Sequence, residues 1–333
     1  MRSFSHLAPS QPPSARMEAP APPAAQGAVL ARICAGLRDA DHIVRLQSAT
    51  ALQHFVLHTL PTLPPDIAAR LWGETVNARL SELVFSQTSA AQLGGVLAID
   101  YLLSAPAATA PLPLFRFYNY AKHLLPHPVT DVMLAASTTL GRTLAAGPAA
   151  FGARFVASEV AASITLLQED AEAGRLAGVL VLTQLARACP EFGACVAEVL
   201  PHVLEVLRDP SAGVRTRAAE LLGACCGVLV QRGPPESDVL LEVLRDAREG
   251  MAEPEPEPEV VHGSLLAYRE LLLHGGTVID SHVQDVVDAA DRLKTHPDVH
   301  VREAADALMP VLIMHRTNGL MTLGSAAPEV SLD

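Results

Sequence analysis

Twelve residues, QLGGVLAIDYLL (92–103), return almost unchanged as RLAGVLVLTQLA (175–186), 83 positions further along the chain. An apolar phrase repeated at long range constrains the fold more than any local propensity, because self-similarity at a fixed spacing marks a stack of equivalent units. With Arg175 as anchor, the equivalents by local pattern are Arg45, Gln92, Met133, Arg215, Val261 and Arg302. From Arg45 onward the seven anchors are separated by steps of 47, 41, 42, 40, 46 and 41 residues.

That spacing is the period of HEAT/armadillo-type units, each a pair of helices of about 40–47 residues. Each anchor opens a second helix: VRLQSATALQHFVLHTL, VMLAASTTLGRTLA, VRTRAAELLGACCGVLV and VREAADALMPVLI are examples. These segments lack strict polar/apolar alternation, outrun a typical strand and are seeded with alanine, so they read as helices. Several are apolar nearly all round, which requires cover on more than one side, from a partner helix and from neighbours in a stack. The repeated phrase is therefore the inner helix of a unit that meets the units before and after it. Gly94, Gly95, Ala177 and Gly178 would let those helices approach closely.

First helices are legible in AQGAVLARICAGLRD, FGACVAEVLPHVLEVLRD and SHVQDVVDAADRLK, and polar turns such as RDPSAGVR and THPDVHVR join the two halves of a unit. Proline stops one helix there, while Asp or Ser caps the next through its side-chain oxygen. The expected fold is all-α, an α-solenoid of about seven helix pairs over residues 27–314. Residues 1–26 read as a disordered Pro/Ala-rich tail, and residues 315–333 have no periodicity and read as unstructured. The alternating Glu/Pro run EPEPEPE (253–259) reads as an extended, solvated loop within 252–260. A solenoid needs a polar terminal face, and the last helix is followed by nothing that would supply one, so the chain is expected to be the front of a longer solenoid.

The chain is half apolar and only 4% aromatic, enough to build a large aliphatic core. Its net charge of −12 argues against nucleic acid or an anionic membrane surface as partner, since both are bound chiefly through clustered Lys and Arg. Five cysteines, none in a C-x-x-C pair, indicate a reducing compartment and no disulfide framework. No apolar run is long enough for a membrane span, and no secretory h-region opens the chain. Six prolines by residue 23 also speak against an amphipathic targeting helix.

Catalytic signatures are missing: no Walker loop, Rossmann fingerprint, H-E-x-x-H, H-R-D or D-F-G occurs. His54/His58 and His296/His300 have the i, i+4 spacing of zinc pairs, but neither has a third ligand beside it. These pairs are all that favours an enzyme reading. Cys225 and Cys226 read as small core residues, and Glu169, Asp170 and Glu172 as acids favoured near a helix N-terminus. Hence no catalytic, cofactor-binding or metal-ligating residue is assigned. The candidate partner-binding surface is LFRFYNYAKHLLP (114–126), which gathers Phe115, Arg116, Phe117, Tyr118 and Tyr120 within six positions. Exposed aromatics beside arginine are typical anchors at protein interfaces, although on a helix some of the four rings must turn into the core.

In order along the chain, LQHFVLHTL, LGGVLAIDYL, FYNYAKHLLPHPVTDVMLAASTTLGRTL, GRLAGVLVLTQLA and VVHGSLLAYREL resemble successive helices at the extreme N-terminus of the target of rapamycin (TOR) kinases. The resemblance runs from about residue 28 to 314, omitting the Pro-rich start, the acidic loop and the last 19 residues. It implies a non-catalytic HEAT scaffold in a serine/threonine kinase that couples nutrient status to growth. Implied partners are a Raptor-like adaptor, a Rheb-like small GTPase and the remainder of the kinase. ATP and Mg would belong only to the downstream catalytic domain. The implied location is cytoplasmic, peripheral on endomembranes through partners. A stand-alone α-solenoid adaptor for transport or complex assembly is the alternative reading.

Overall fold

The computed structural model describes residues 23–104, 112–232, 237–252, 256–275 and 282–324. Within them the chain forms seven successive helix pairs and no strand. The first helices of the units are α1 (Pro23–Gly36), a bent helix made of α3 (Pro65–Arg70) and α4 (Asn77–Val84) joined by a π-helical stretch, α6 (Leu114–His123), α8 (Ala153–Leu167), α10 (Val196–Val206), α12 (Ser237–Ala252) and α14 (Val283–Leu293). The second helices are α2 (His42–His54), α5 (Ser89–Leu103), α7 (Thr130–Ala146), α9 (Glu172–Ala188), α11 (Ala212–Arg232), α13 (Pro258–His274) and α15 (Val299–Gly324). Each second helix packs on its own first helix and on the second helices before and after it, giving one unbroken row from α2 to α15.

All seven anchors lie near the start of a second helix, and the side chains there show why the register repeats. Arg45 donates from Nη1 to the carbonyls of Asp39 and Ala40, both at 2.8 Å. Arg175 does the same to Glu169 and Asp170, Arg215 to Asp209 and Pro210, and Arg302 to His296 and Pro297. Gln92 reaches the Ser86 carbonyl from Nε2 at 3.0 Å. In each case the acceptors are six, or five and six, residues back, so one side chain holds the turn that joins the two helices of a unit. The turn is also held from within. Asp39, Ser86, His127, Asp209 and His296 each accept the backbone N–H of the residue two positions on, at 2.8–3.3 Å. An imidazole Nδ1 thus replaces a carboxylate in two of these turns. Met133 and Val261 stand at the anchor position without a hydrogen-bonding group.

Close approach between units is set by small residues two positions after the anchor. A Cβ on Gly94 would collide with the carbonyl oxygen of Leu37, and one on Gly263 with that of Leu207. Each of those leucines ends a first helix of the preceding unit. The core is one continuous aliphatic layer, from Leu30 to Leu312, between the two rows of helices.

Three boundaries differ from the sequence reading. Helix α1 starts at Pro23, because proline suits the first helical position, where its missing N–H is an orphan in any case. Pro258 opens α13 for the same reason, so the acidic loop ends earlier than residue 260. Helix α15 runs on to Gly324, where an unstructured tail from His315 was expected; with no proline after Pro310 in this stretch and the lone interior Gly319 tolerated, nothing local stops it. The expected disorder of residues 1–22 and 325–333, and Glu253 to Glu255 of the acidic run, lie outside the described residues.

Candidate protein-docking surface

Helix α6 carries the aromatic segment, and the structure divides it. Phe117 and Tyr118 are fully buried, so the sequence expectation is corrected for these two: they pack the interior and present nothing to a partner. The 3.6-residue period turns positions 117, 118 and 121 onto the second-helix row. Phe115 is 49% exposed and Arg116 is exposed, while Tyr120 is half-buried.

Two aromatic groups result. On the side of the fourth unit, Phe115 lies 4.9 Å from Phe151 and 5.6 Å from Phe155, and Tyr118 stands edge-on to Phe155 at 5.1 Å. Below them Glu159 accepts from the Tyr118 hydroxyl at 2.6 Å and from Lys122 Nζ at 2.5 Å. Burial and the Glu159 charge push the Tyr118 phenol far above its ordinary range, so it remains a donor. On the side of the second unit, Phe85, itself 49% exposed, meets Tyr120 edge-on at 5.9 Å and His123 at 4.5 Å. Phe85 was not singled out from the sequence. Phe85 follows the last turn of α4 while Tyr120 lies within α6, so the contact joins non-equivalent positions of two units and no repeat spacing signals it.

The remaining candidates fall into structural roles. The rings of His54 and His58 are 4.6 Å apart. His296 and His300 are separated: His296 closes a turn, and His300 lies 5.8 Å from His262. Among the described residues no three His, Cys, Asp or Glu side chains converge on a metal-sized point. Cys225 and Cys226 are buried, and burial pushes both thiols up, Cys226 to about 12, which keeps them protonated. Glu172 accepts from the Ser211 hydroxyl at 2.6 Å across the joint to the fifth unit, while Glu169 and Asp170 hold Arg175 through their carbonyls. These acids position helices.

One buried polar group was not anticipated. His262, 6% exposed on α13, accepts at Nδ1 from Nε of Arg215 at 2.8 Å. Burial, then Arg215 and His300, lower its pKa to about 4, so it is neutral at pH 7.

Stacked helix pairs with an Arg-held turn define the chain as a HEAT-repeat α-solenoid. The HEAT repeat family model matches residues 199–229, which cover most of α10, the Asp209 turn and most of α11. Among solved structures the fold is similar to that of yeast importin-β (Kap95p), with a TM-score of 0.61 and 13% identity over 92% of this chain and 37% of that one. In sequence the chain is 33% identical over 282 residues to serine/threonine-protein kinase tor1 of Schizosaccharomyces pombe. It is 28% identical over 270 residues to TOR2 of Saccharomyces cerevisiae. These alignments cover 83% and 76% of the chain but only 12% and 11% of the relatives' length. In sequence the chain is similar to TOR serine/threonine-protein kinases, and it fits a HEAT-repeat segment of such a protein. Among the described residues no single helix is long and apolar enough to cross a membrane.

Proposed function

We propose that this chain is a non-catalytic HEAT scaffold that takes part in assembling a TOR-like serine/threonine kinase with its adaptor subunits in nutrient and growth signalling. The observation that carries the reading is 33% identity to a TOR kinase over 83% of the chain, in a segment made of stacked helix pairs. A solenoid of this kind offers a long surface and little else, which suits protein docking. Phe115, Arg116 and Tyr120, with Phe85 against Tyr120, are the surface on which an adaptor docks. As the resemblance implies, the partners are a Raptor-like adaptor, a Rheb-like GTPase and the rest of the kinase, with ATP and Mg held by the catalytic domain. The chain would act in the cytoplasm and reach endomembranes through those partners.

The likeness in fold to yeast importin-β favours a second reading, a stand-alone adaptor for transport or assembly. The two are separated by affinity capture of the tagged chain with a purified Raptor-like adaptor. Retention that falls at least about tenfold in Phe115→Ser/Phe85→Ser supports the scaffold reading. Failure of the wild-type chain to retain the adaptor contradicts it.

A further inference from the structure

A cavity of about 970 Å³ lies apart from the aromatic face. It is a groove along α11 from Glu220 to Arg232, between the last turn of α9 and the stretch Arg269 to His274 of α13. Its floor is low because α11 presents Gly223, Ala224 and Gly227 there, between taller side chains on the two neighbours. At Gly227 an added Cβ would meet no atom within 4 Å, so the space above it is open.

The buried charges in the groove are carboxylates; a third acid of the lining, Glu220, 34% exposed, is paired with Arg217. The Glu270 side chain is 8% exposed, and its basic neighbours, Arg269 Nη1 and His274 Nε2, are both 3.6 Å away, beyond hydrogen-bond length; burial, then Arg187 and Arg269, lower the His274 pKa, so Arg269 is the cation of the two. Oε2 of Glu191, also in the lining, is shut off from solvent and has no hydrogen-bond partner. The outer groups are basic: Arg187 is exposed, and the side chains of Arg269 and His274 are 42% and 48% exposed. Two incompletely paired carboxylates beneath a basic rim call for a cation inside and anions at the edge. A floor of small residues lets a second helix come close to α11. We propose that this groove receives a helix of a partner protein that carries an arginine or lysine toward Glu270 and Glu191, flanked by acidic residues that meet Arg187 and Arg269. Residues four apart share a helix face, so one basic residue with acids a turn before and after it has the required pattern. Burial also raises the Glu270 pKa, and an incoming guanidinium would hold that carboxyl ionised.

The proposal rests on the scaffold reading but makes its own prediction. Three synthetic alanine-based helical peptides of roughly 15 residues serve as probes against the full chain, by fluorescence anisotropy. One has a central arginine flanked by glutamates at i±4, one has glutamine at the centre, and one has the charges inverted. The arginine peptide is expected to bind at least about tenfold tighter than the other two. Gly227→Trp, which fills open space, is expected to abolish binding without lowering the melting temperature, and Glu270→Gln to erase the preference for arginine. Equal binding of the three peptides, no binding by any, or binding that survives Gly227→Trp would overturn the proposal. A chain that binds the arginine peptide but retains no adaptor contradicts the scaffold reading alone. One that retains the adaptor but ignores the peptide contradicts the groove alone.

Discussion

The joint between the fourth and fifth units and the joint between the sixth and seventh occupy the same register with different chemistry. At the first, Arg175 holds its own turn and pairs with Asp209 of the next unit through Nε at 2.5 Å and Nη2 at 3.2 Å. At the second, Val261 stands in place of the arginine and His296 in place of the aspartate, and a cavity of about 360 Å³ opens between Val261, Pro256 and His296. Both members of the ion pair have changed together, which avoids leaving either charge buried alone. The lesson is that the HEAT register is set by helix packing and turn geometry, while the polar tie across a joint is an addition that one unit uses and another omits. A buried pair costs much to break and little to replace with apolar contacts.

Four experiments sharpen or break this comparison. The largest effect is expected from Arg175→Ala, which removes two turn bonds and leaves Asp209, 6% exposed, without its cation. It should cost about 3–5 kcal/mol in urea unfolding, against about 1–2 kcal/mol for Val261→Ala. Equal losses would mean that the ion pair does not distinguish the joints. Next comes pH. The pKa of His262 is about 4 in the folded chain against 6.5 unfolded, so the unfolded state holds more protons between those values. The neutral imidazole's contribution is complete above about pH 6.5 and is lost as pH falls toward 4, amounting to roughly 2 kcal/mol between pH 7 and pH 5. The groups facing it are Arg215, His300 and Asp298. His262→Gln should flatten this part of the pH dependence, and an unchanged slope would show that other groups dominate. A smaller effect tests the exchange itself: Val261→Arg with His296→Asp should couple favourably by about 1 kcal/mol in a double-mutant cycle, and a coupling near zero would refute the equivalence of the two joints. The smallest is at the surface: Phe115→Ser should change stability by under about 1 kcal/mol, whereas buried Phe117→Ala should cost about 3–5 kcal/mol.

The fold was legible because its period is written in apolar residues: all seven anchors chosen by pattern fall at the same place in a unit. Their physical role was not legible, since a side chain bonding to carbonyls five and six residues back leaves no mark beyond the Arg or Gln itself. The close approach at Gly94 was foreseen from its small size, and the partner, the Leu37 carbonyl, was not. Half of the aromatic surface was misjudged because Phe115 and Phe117 differ only in helical phase, which is readable from residue order only to within about a residue. Phe85 was missed because its neighbours come from another unit. The groove on α11 depends on what α9 and α13 raise around Gly223 and Gly227, a three-helix property that no single segment encodes.

The central proposal is that this solenoid works as part of a TOR-like kinase assembly. Native size fractionation of source-cell lysate, probed with an antibody to an exposed surface of this chain and followed by mass spectrometry of the reactive fraction, tests it most directly. The account predicts a large complex that contains a TOR-family kinase catalytic domain and an adaptor. Elution of the chain alone at monomer size, with no kinase in the fraction, would contradict it.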